Sequence, residues 1–140
     1  MSKQYIISLA ITMAAALAMG TGMAPAADSY GAIAFSPSTH GQGYAFGSSN
    51  REAAQRIAVS ECVKYSGGND CLSVITIAKG CAVLAVDAVA YASSADERLD
   101  FAKRAAIRNC QSAGGSNCWV LRWLCQLSWT PQLTASAQLH

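Results

Sequence analysis

The chain has 140 residues, of which 52% are hydrophobic and only 13% are charged, and its formal net charge is +2. This length allows one domain. The composition argues against disorder, because disordered chains combine low hydrophobicity with many charges. The net charge is too small to favour a nucleic-acid partner or a polybasic contact with a membrane.

The first 26 residues have the features of a secretory signal peptide. Lys3 precedes an apolar run over residues 6–19, and Ala24-Pro25-Ala26 has the Ala-x-Ala form of a cleavage site. The alternative is an uncleaved membrane anchor, but the run is shorter than the ~20 apolar residues of a membrane span. We therefore expect cleavage after Ala26, no stable membrane span in the mature chain, and a secreted or periplasmic location.

Patterns typical of strands and helices follow along the rest of the chain. Ser49 and Glu52, and later Ser94 and Glu97, have the Ser-x-x-Glu spacing of a capping box, which predicts a helix start at each serine. Both helices are amphipathic with Ala-rich core faces. In chain order, the predicted elements are strands 30–35 and 43–47, helix 50–65, strands 72–78, 81–86 and 88–92, helix 95–112 and strand 119–127. The predicted core stripe of the first helix is Ala54, Ile57, Ala58, Glu61, Cys62 and Tyr65.

The order strand-strand-helix-strand occurs twice, which indicates an internal repeat. It predicts an α+β fold, in which an antiparallel sheet carries both helices on one face. A parallel doubly wound sheet is the alternative, but it would need a helix between most consecutive strands. We therefore predict one disulfide-stapled domain over residues 27–129, followed by a flexible C-terminal tail over residues 130–140.

All six cysteines lie after the predicted cleavage site, which favours disulfide bonds. Zinc sites, the alternative, use cysteines two to four residues apart with further Cys or His in the same pattern. The gaps here are longer and no internal histidine accompanies them, so we expect no metal and no cofactor. Each predicted helix ends in a cysteine, and a Gly-Gly turn leads to a second cysteine. The repeat therefore predicts the pairs Cys62–Cys71, Cys110–Cys118 and Cys81–Cys125, the last of which would join the two repeats.

Mapping of the disulfide-linked peptides of the non-reduced protein tests this pairing. We expect one linked peptide for each predicted pair, because the repeat places the same turn between the first and second cysteine of each half. A peptide that links Cys71 to Cys81, or Cys62 to Cys110, would contradict the scheme.

The segment YGAIAFSPSTHGQGYAFGSSNREAA, the cysteine at the end of each helix and the Gly-Gly-x-x-Cys turn together resemble a known family. They are similar to the small secreted bacterial domains grouped as domain of unknown function 4189. The resemblance spans about residues 30–125. It implies an exported bacterial protein, and the family carries no established activity or catalytic residues.

His40 is the candidate base for any catalysis, and it lies in a predicted loop with Ser38 and Thr39. A Ser/His site also needs a third group that holds the base and an oxyanion site, and no motif supplies them. A solvated loop histidine is the alternative interpretation. We therefore expect no catalytic site.

The last predicted strand carries Trp119 and Trp123, and Trp129 continues the same alternation just beyond its end, so the three rings would share one face. This apolar stripe is either core beneath the helices or an exposed aromatic platform for a glycan or a protein. Trp129 lies beyond Cys125 and two residues before Pro131, so it is the candidate for exposure.

Two functions are compatible with these patterns. The first is an exported, non-enzymatic binding domain, such as a periplasmic inhibitor or an immunity-type protein, with an envelope or extracellular protein or a glycan as its partner. Its candidate contact residues are Ser38, Thr39, His40 and Trp129. The second is a small secreted hydrolase that uses His40 with the loop hydroxyls. We favour the binding domain, because most of the polar residues have structural explanations.

Overall fold

The computed structural model describes residues 29–126, which contain six strands and two helices. The elements are β1 Tyr30–Phe35, β2 Gln42–Ser48, α1 Arg51–Ser66, β3 Leu72–Ile77, β4 Gly80–Val86, β5 Tyr91–Asp96, α2 Leu99–Ser112 and β6 Trp119–Gln126. The predicted signal peptide, the predicted tail and Trp129 lie outside the described residues. Neither helix in this range combines the length and the apolar character that a membrane crossing requires.

The strands form two three-stranded antiparallel sheets with the orders β2-β1-β3 and β5-β4-β6. The first strand of each repeat is therefore the central strand of its sheet. α1 covers the outer face of the first sheet, and α2 covers the outer face of the second. The predicted α+β class, the repeated strand-strand-helix-strand unit and the antiparallel pairing are confirmed.

The two sheets pack face to face, whereas the repeat suggested one sheet with both helices on one face. Ile33 and Phe35 of β1, Leu84 and Val86 of β4, and Leu124 of β6 form an apolar layer between the sheets. The alternate residues of both central strands face the helices. A single sheet with both helices on one face would leave the other apolar face in water, and stacking of the sheets buries it.

Each helix lies close to its sheet because the contact residues are small. On α1 the buried positions are Ala54, Ala58 and Cys62, which stand four residues apart on one stripe. Gly43 of β2 completes this contact, since a Cβ at this position would lie 2.1 Å from the carbonyl oxygen of Ala58. The corresponding residues of α2 are Ala102, Ala106 and Cys110.

The predicted capping boxes are wrong at both helix starts. α1 is capped by Asn50, whose side chain accepts a hydrogen bond from the backbone N–H of Ala53 at 2.8 Å. Ser94 lies inside β5, opposite Val83 of β4, and α2 follows Arg98 without a side-chain cap. Pairing with the buried central strand therefore outweighs the local helix-start signal in the second repeat.

Three disulfide bonds are present in the described part of the chain, and they are the pairs that the repeat predicts. The interpretation of the third bond as a link between the repeats is wrong. Cys81 lies in β4 directly opposite Cys125 in β6, so this bond lies within the second half. Apart from the chain itself, the two halves are therefore held together by contacts between the sheets. The bonds are Cys62–Cys71, Cys110–Cys118 and Cys81–Cys125.

We predict unequal losses of stability when the bonds are removed separately. Replacement of both Cys81 and Cys125 by Ala should lower the free energy of unfolding by about 4 kcal/mol, against about 2.6 kcal/mol for Cys62 and Cys71. The reason is chain entropy, since the sequence separations are 44 and 9 residues. Urea unfolding of the non-reduced proteins, followed by circular dichroism, measures both values. Equal losses would contradict this account.

Candidate functional site

The loop between β1 and β2 holds three of the predicted contact residues. Ser38, Thr39 and His40 are all exposed, as a contact surface requires. The His40 backbone has a φ of 58°, in the left-handed region. Its ring stacks on Phe35 with the ring centroids 5.8 Å apart, so the end of β1 fixes the position of the imidazole.

The hydroxyl groups of this loop are bound to Asp70, which lies between α1 and β3. The Asp70 carboxylate accepts hydrogen bonds from the buried Ser36 hydroxyl and, at 2.9 Å each, from the hydroxyl and the backbone N–H of Ser38. Thr39 donates its hydroxyl to Ser36 at 2.8 Å. These bonds, that from Ser36 above all, hold the pKa of Asp70 below its usual value. The network joins the two loops.

The hydrolase alternative concerns the surroundings of the His40 ring. Within residues 29–126, no hydrogen bond connects the His40 ring to a hydroxyl or a carboxylate, and the loop hydroxyls are held by Asp70 instead. A catalytic histidine needs a nucleophile and an orienting group within hydrogen-bond reach. In the same part of the chain, no group of three or more His, Cys, Asp or Glu side chains is arranged to hold a metal ion.

Asp87 makes the equivalent link in the second half. It follows β4 as Ser36 follows β1, and its carboxylate accepts the backbone N–H groups of Ser116 and Asn117, both at 2.7 Å. The bond from Asn117 is the main cause that lowers the pKa of Asp87. In both halves, therefore, one carboxylate joins the hairpin loop to the loop between the helix and the next strand. The acid lies on the helix–strand loop in the first half and on the hairpin loop in the second.

A groove of about 740 Å³ lies beside the β1–β2 loop at the edge of the first sheet. The loop and β2 contribute residues 40–46, and β6 contributes Arg122. Ile57, Glu61 and Tyr65 of α1 stand four residues apart and form one wall. The structure thus brings His40 into a groove that the other loop residues, Ser38 and Thr39, do not line.

The groove is bordered by exposed aromatic rings and one fixed cation. Tyr44, Phe46 and Tyr65 are 42%, 68% and 72% exposed. The Tyr44 and Phe46 rings stack with centroids 6.3 Å apart. The guanidinium of Arg122 lies over the Tyr44 ring at 4.6 Å, and its Nε donates to the side-chain oxygen of Gln42 at 2.6 Å.

Sequence patterns alone missed this groove. The helical period placed Ile57, Glu61 and Tyr65 on the core stripe of the first helix, but Ile57 is 47% exposed and Tyr65 points into solvent. The buried stripe is narrower because small residues bring α1 so close to the sheet. The sequence of β2 does contain a pattern that could have indicated the groove. Tyr44 and Phe46 alternate there with the small residues that α1 covers, so both rings lie on the face away from the helix.

The tryptophan stripe of the last strand does not form within the described residues. A register shift against β4 leaves Leu121 as an extra residue in β6. Trp119 consequently lies opposite Val86, which faces the other sheet, and Trp123 lies opposite Val83, which faces α2. Their exposures of 53% and 49% show that neither belongs to the core, and the bulge separates them onto two faces.

We predict that Asp70→Asn and Asp87→Asn each lower the melting temperature near neutral pH but not in strong acid. Folding lowers the pKa of both carboxyls. Their contribution to the stability of the folded state is therefore complete above the ordinary carboxyl pKa of about 3.9, and it is lost as the pH falls through their lower pKa values in the folded state. Thermal unfolding across the acid range measures this. Asp100→Asn is the control, since its ion pairs are exposed and contribute little. A deficit that persists unchanged in strong acid would contradict the prediction.

The comparisons with known proteins agree with this architecture. The NMR structure of Rv1813c from Mycobacterium tuberculosis is similar, with a TM-score of 0.53 and 16% sequence identity over 90% of this chain and 99% of that chain. At this identity the likeness concerns the fold alone. No match is found among curated proteins. The family model described as Domain of unknown function (DUF4189) matches residues 30–125. The chain therefore belongs to the DUF4189 family, as the sequence motifs indicated.

Proposed function

We propose that this protein is an exported, non-enzymatic binding domain that contacts an envelope or extracellular protein through the groove along β2. The observation that carries the proposal is the groove itself, in which three exposed aromatic rings surround a space of about 740 Å³. Exposed aromatic side chains are enriched at protein-binding sites, because they offer a large contact area at little entropic cost. A periplasmic inhibitor or immunity-type protein, whose partner is an exported enzyme, is a specific form of such a domain.

Export is supported by the sequence and by the disulfide bonds. A signal peptide of the predicted form, cleaved after Ala26, would direct the chain out of the cytoplasm. Three disulfide bonds in the described residues suit an oxidising compartment, since cytosolic thiols are kept reduced. We therefore propose a periplasmic or secreted location for the mature chain.

A protein partner fits the groove better than a glycan does. The α1 wall combines the aliphatic Ile57 with the aromatic Tyr65, and the opposite side carries the stacked Tyr44 and Phe46 rings. Such a surface suits apolar side chains. The hydrolase alternative depends on His40 as a base, and no contact in the described residues favours it.

Site-specific photo-crosslinking tests this proposal. We predict that p-benzoylphenylalanine at Phe46 or Tyr65 captures a partner protein in the envelope fraction, because both side chains border the groove and are more than half exposed. The same substitution at Phe101 is the matched control, since this residue is 42% exposed but lies on α2. Gel mobility and mass spectrometry of the crosslinked products give the result. Equal capture from Phe101, or none from the groove positions, would contradict the proposal.

A further inference from the structure

β2 is an edge strand of the first sheet. Among the described strands its one neighbour is β1, so the other side of β2 carries no partner strand. An edge strand presents a row of N–H and C=O groups that can pair with a further strand. β2 has seven residues, which offers a pairing length of about 23 Å.

The groove follows the backbone edge of β2 and not one of its faces. Five consecutive strand residues, 42–46, line it. Successive side chains of a strand point to opposite faces, so a groove over one face would contact only alternate residues. Contact with every residue in the run therefore places the groove along the free edge. Ile57 and Tyr65 of α1 form the wall on one side of this edge, and Arg122 stands on the other.

In the corresponding edge strand of the second half, one backbone carbonyl is bound by a side chain. Asn109, which precedes the helix cysteine Cys110, donates its side-chain N–H to the backbone carbonyl of Ser93 in β5 at 3.2 Å. In the first half the residue before the helix cysteine is Glu61. A carboxylate has no donor with which to cover a carbonyl. Glu61 therefore leaves β2 without the hydrogen bond that Asn109 gives to β5. In the described residues one side chain binds the β2 backbone, since Gln126 accepts the N–H of Gly47 at 3.1 Å, and Gly47 lies just beyond the strand residues that line the groove.

Arg122 supplies a positive charge on the side of the groove opposite the α1 wall that holds Glu61. Its Nε donates to Gln42, and it forms no salt bridge with any carboxylate of residues 29–126. A guanidinium carries five N–H donors, so the remaining donors can hold a carboxylate through two parallel hydrogen bonds. The exposed Tyr44 and Phe46 rings beside it provide contacts for apolar side chains.

We infer that the groove binds an extended peptide segment of the partner protein, which adds to the free edge of β2 as a further strand and places an acidic residue against Arg122. This inference rests on the proposed function and specifies its binding mode. Main-chain hydrogen bonds supply the affinity of such strand addition, and the pockets for alternate side chains supply the specificity. The peptide carries apolar side chains towards Tyr44 and Phe46.

A selected peptide with a modified backbone tests the inference. Nine-residue random peptides displayed on phage would be selected on the immobilised full mature chain with its disulfides intact. We expect the selected sequences to alternate apolar and polar residues around one Asp or Glu. Two versions of the selected peptide are then compared, one N-methylated at the odd-numbered residues and one at the even-numbered residues; these are the two phases of N-methylation. One phase should lower the affinity at least tenfold and the other very little, because only alternate N–H groups of an added strand face β2.

Arg122→Gln should lower the affinity for the selected peptide about tenfold, because the charge-assisted hydrogen bonds to the acidic residue of the peptide are lost. Arg108→Gln is the matched control, since this residue is exposed on α2, and it should leave the affinity unchanged. Circular dichroism checks that both variants are folded. Equal sensitivity to N-methylation in both phases, or an affinity that does not depend on Arg122, would overturn the inference.

Two further outcomes would identify another occupant and also overturn it. If removal of residues 127–140 raised the peptide affinity tenfold or more, this chain would itself fill the groove. If Phe46→Asp dissociated a dimer of the mature chain, a second copy would fill it.

The failure of this inference can be distinguished from the failure of the proposed function. Capture of a partner from Phe46 or Tyr65, together with a peptide affinity that does not depend on the phase of N-methylation, would leave the proposed function standing while the strand-addition mode failed.

Discussion

Burial of both faces of the two central strands is the constraint on which this structure depends. In β1, Ala32 and Ala34 are covered by α1, while Ile33 and Phe35 contact the opposite sheet. β4 is arranged in the same way in the second half. A strand that is apolar on both faces must be covered twice. The order helix, sheet, sheet, helix follows, and the hairpins and helices are then fixed around two central strands.

Covalent and polar links hold the ends of the elements that this core leaves at the surface. A disulfide bond joins the last part of each helix to the residue directly before the following strand, and one carboxylate joins each hairpin loop to the loop after the helix. In the first half, Asp70 thereby holds the loop that leads into β2. This loop and α1 bound the groove at the sheet edge, so the links that stabilise the domain also shape its candidate binding site.

The two halves share one topology but differ where they meet solvent. In the second half, Asn109 covers the backbone of the edge strand β5. In the first half, Glu61 occupies the equivalent position, and the exposed rings of Tyr44 and Phe46 lie beside Arg122. The edge strand of the second half thus carries a side-chain hydrogen bond at a position where the first half has none. The proposed binding function depends on that difference, because the shared core explains the fold of both halves equally well.

The sequence by itself determined the repeat, the strand-strand-helix-strand order, the cysteine pairs and the family. These features depend on local periodicity and on the spacing of a few residue types, which are visible without coordinates. The tertiary structure decided that the strands form two stacked sheets, that Cys81 belongs to the second half and that Ser94 lies in a strand. It also decided the groove, because the exposure of Tyr65 depends on how closely the small residues of α1 approach β2. Helical period reveals which side chains share a face, whereas the width of the buried stripe is set by the distance between the packed elements.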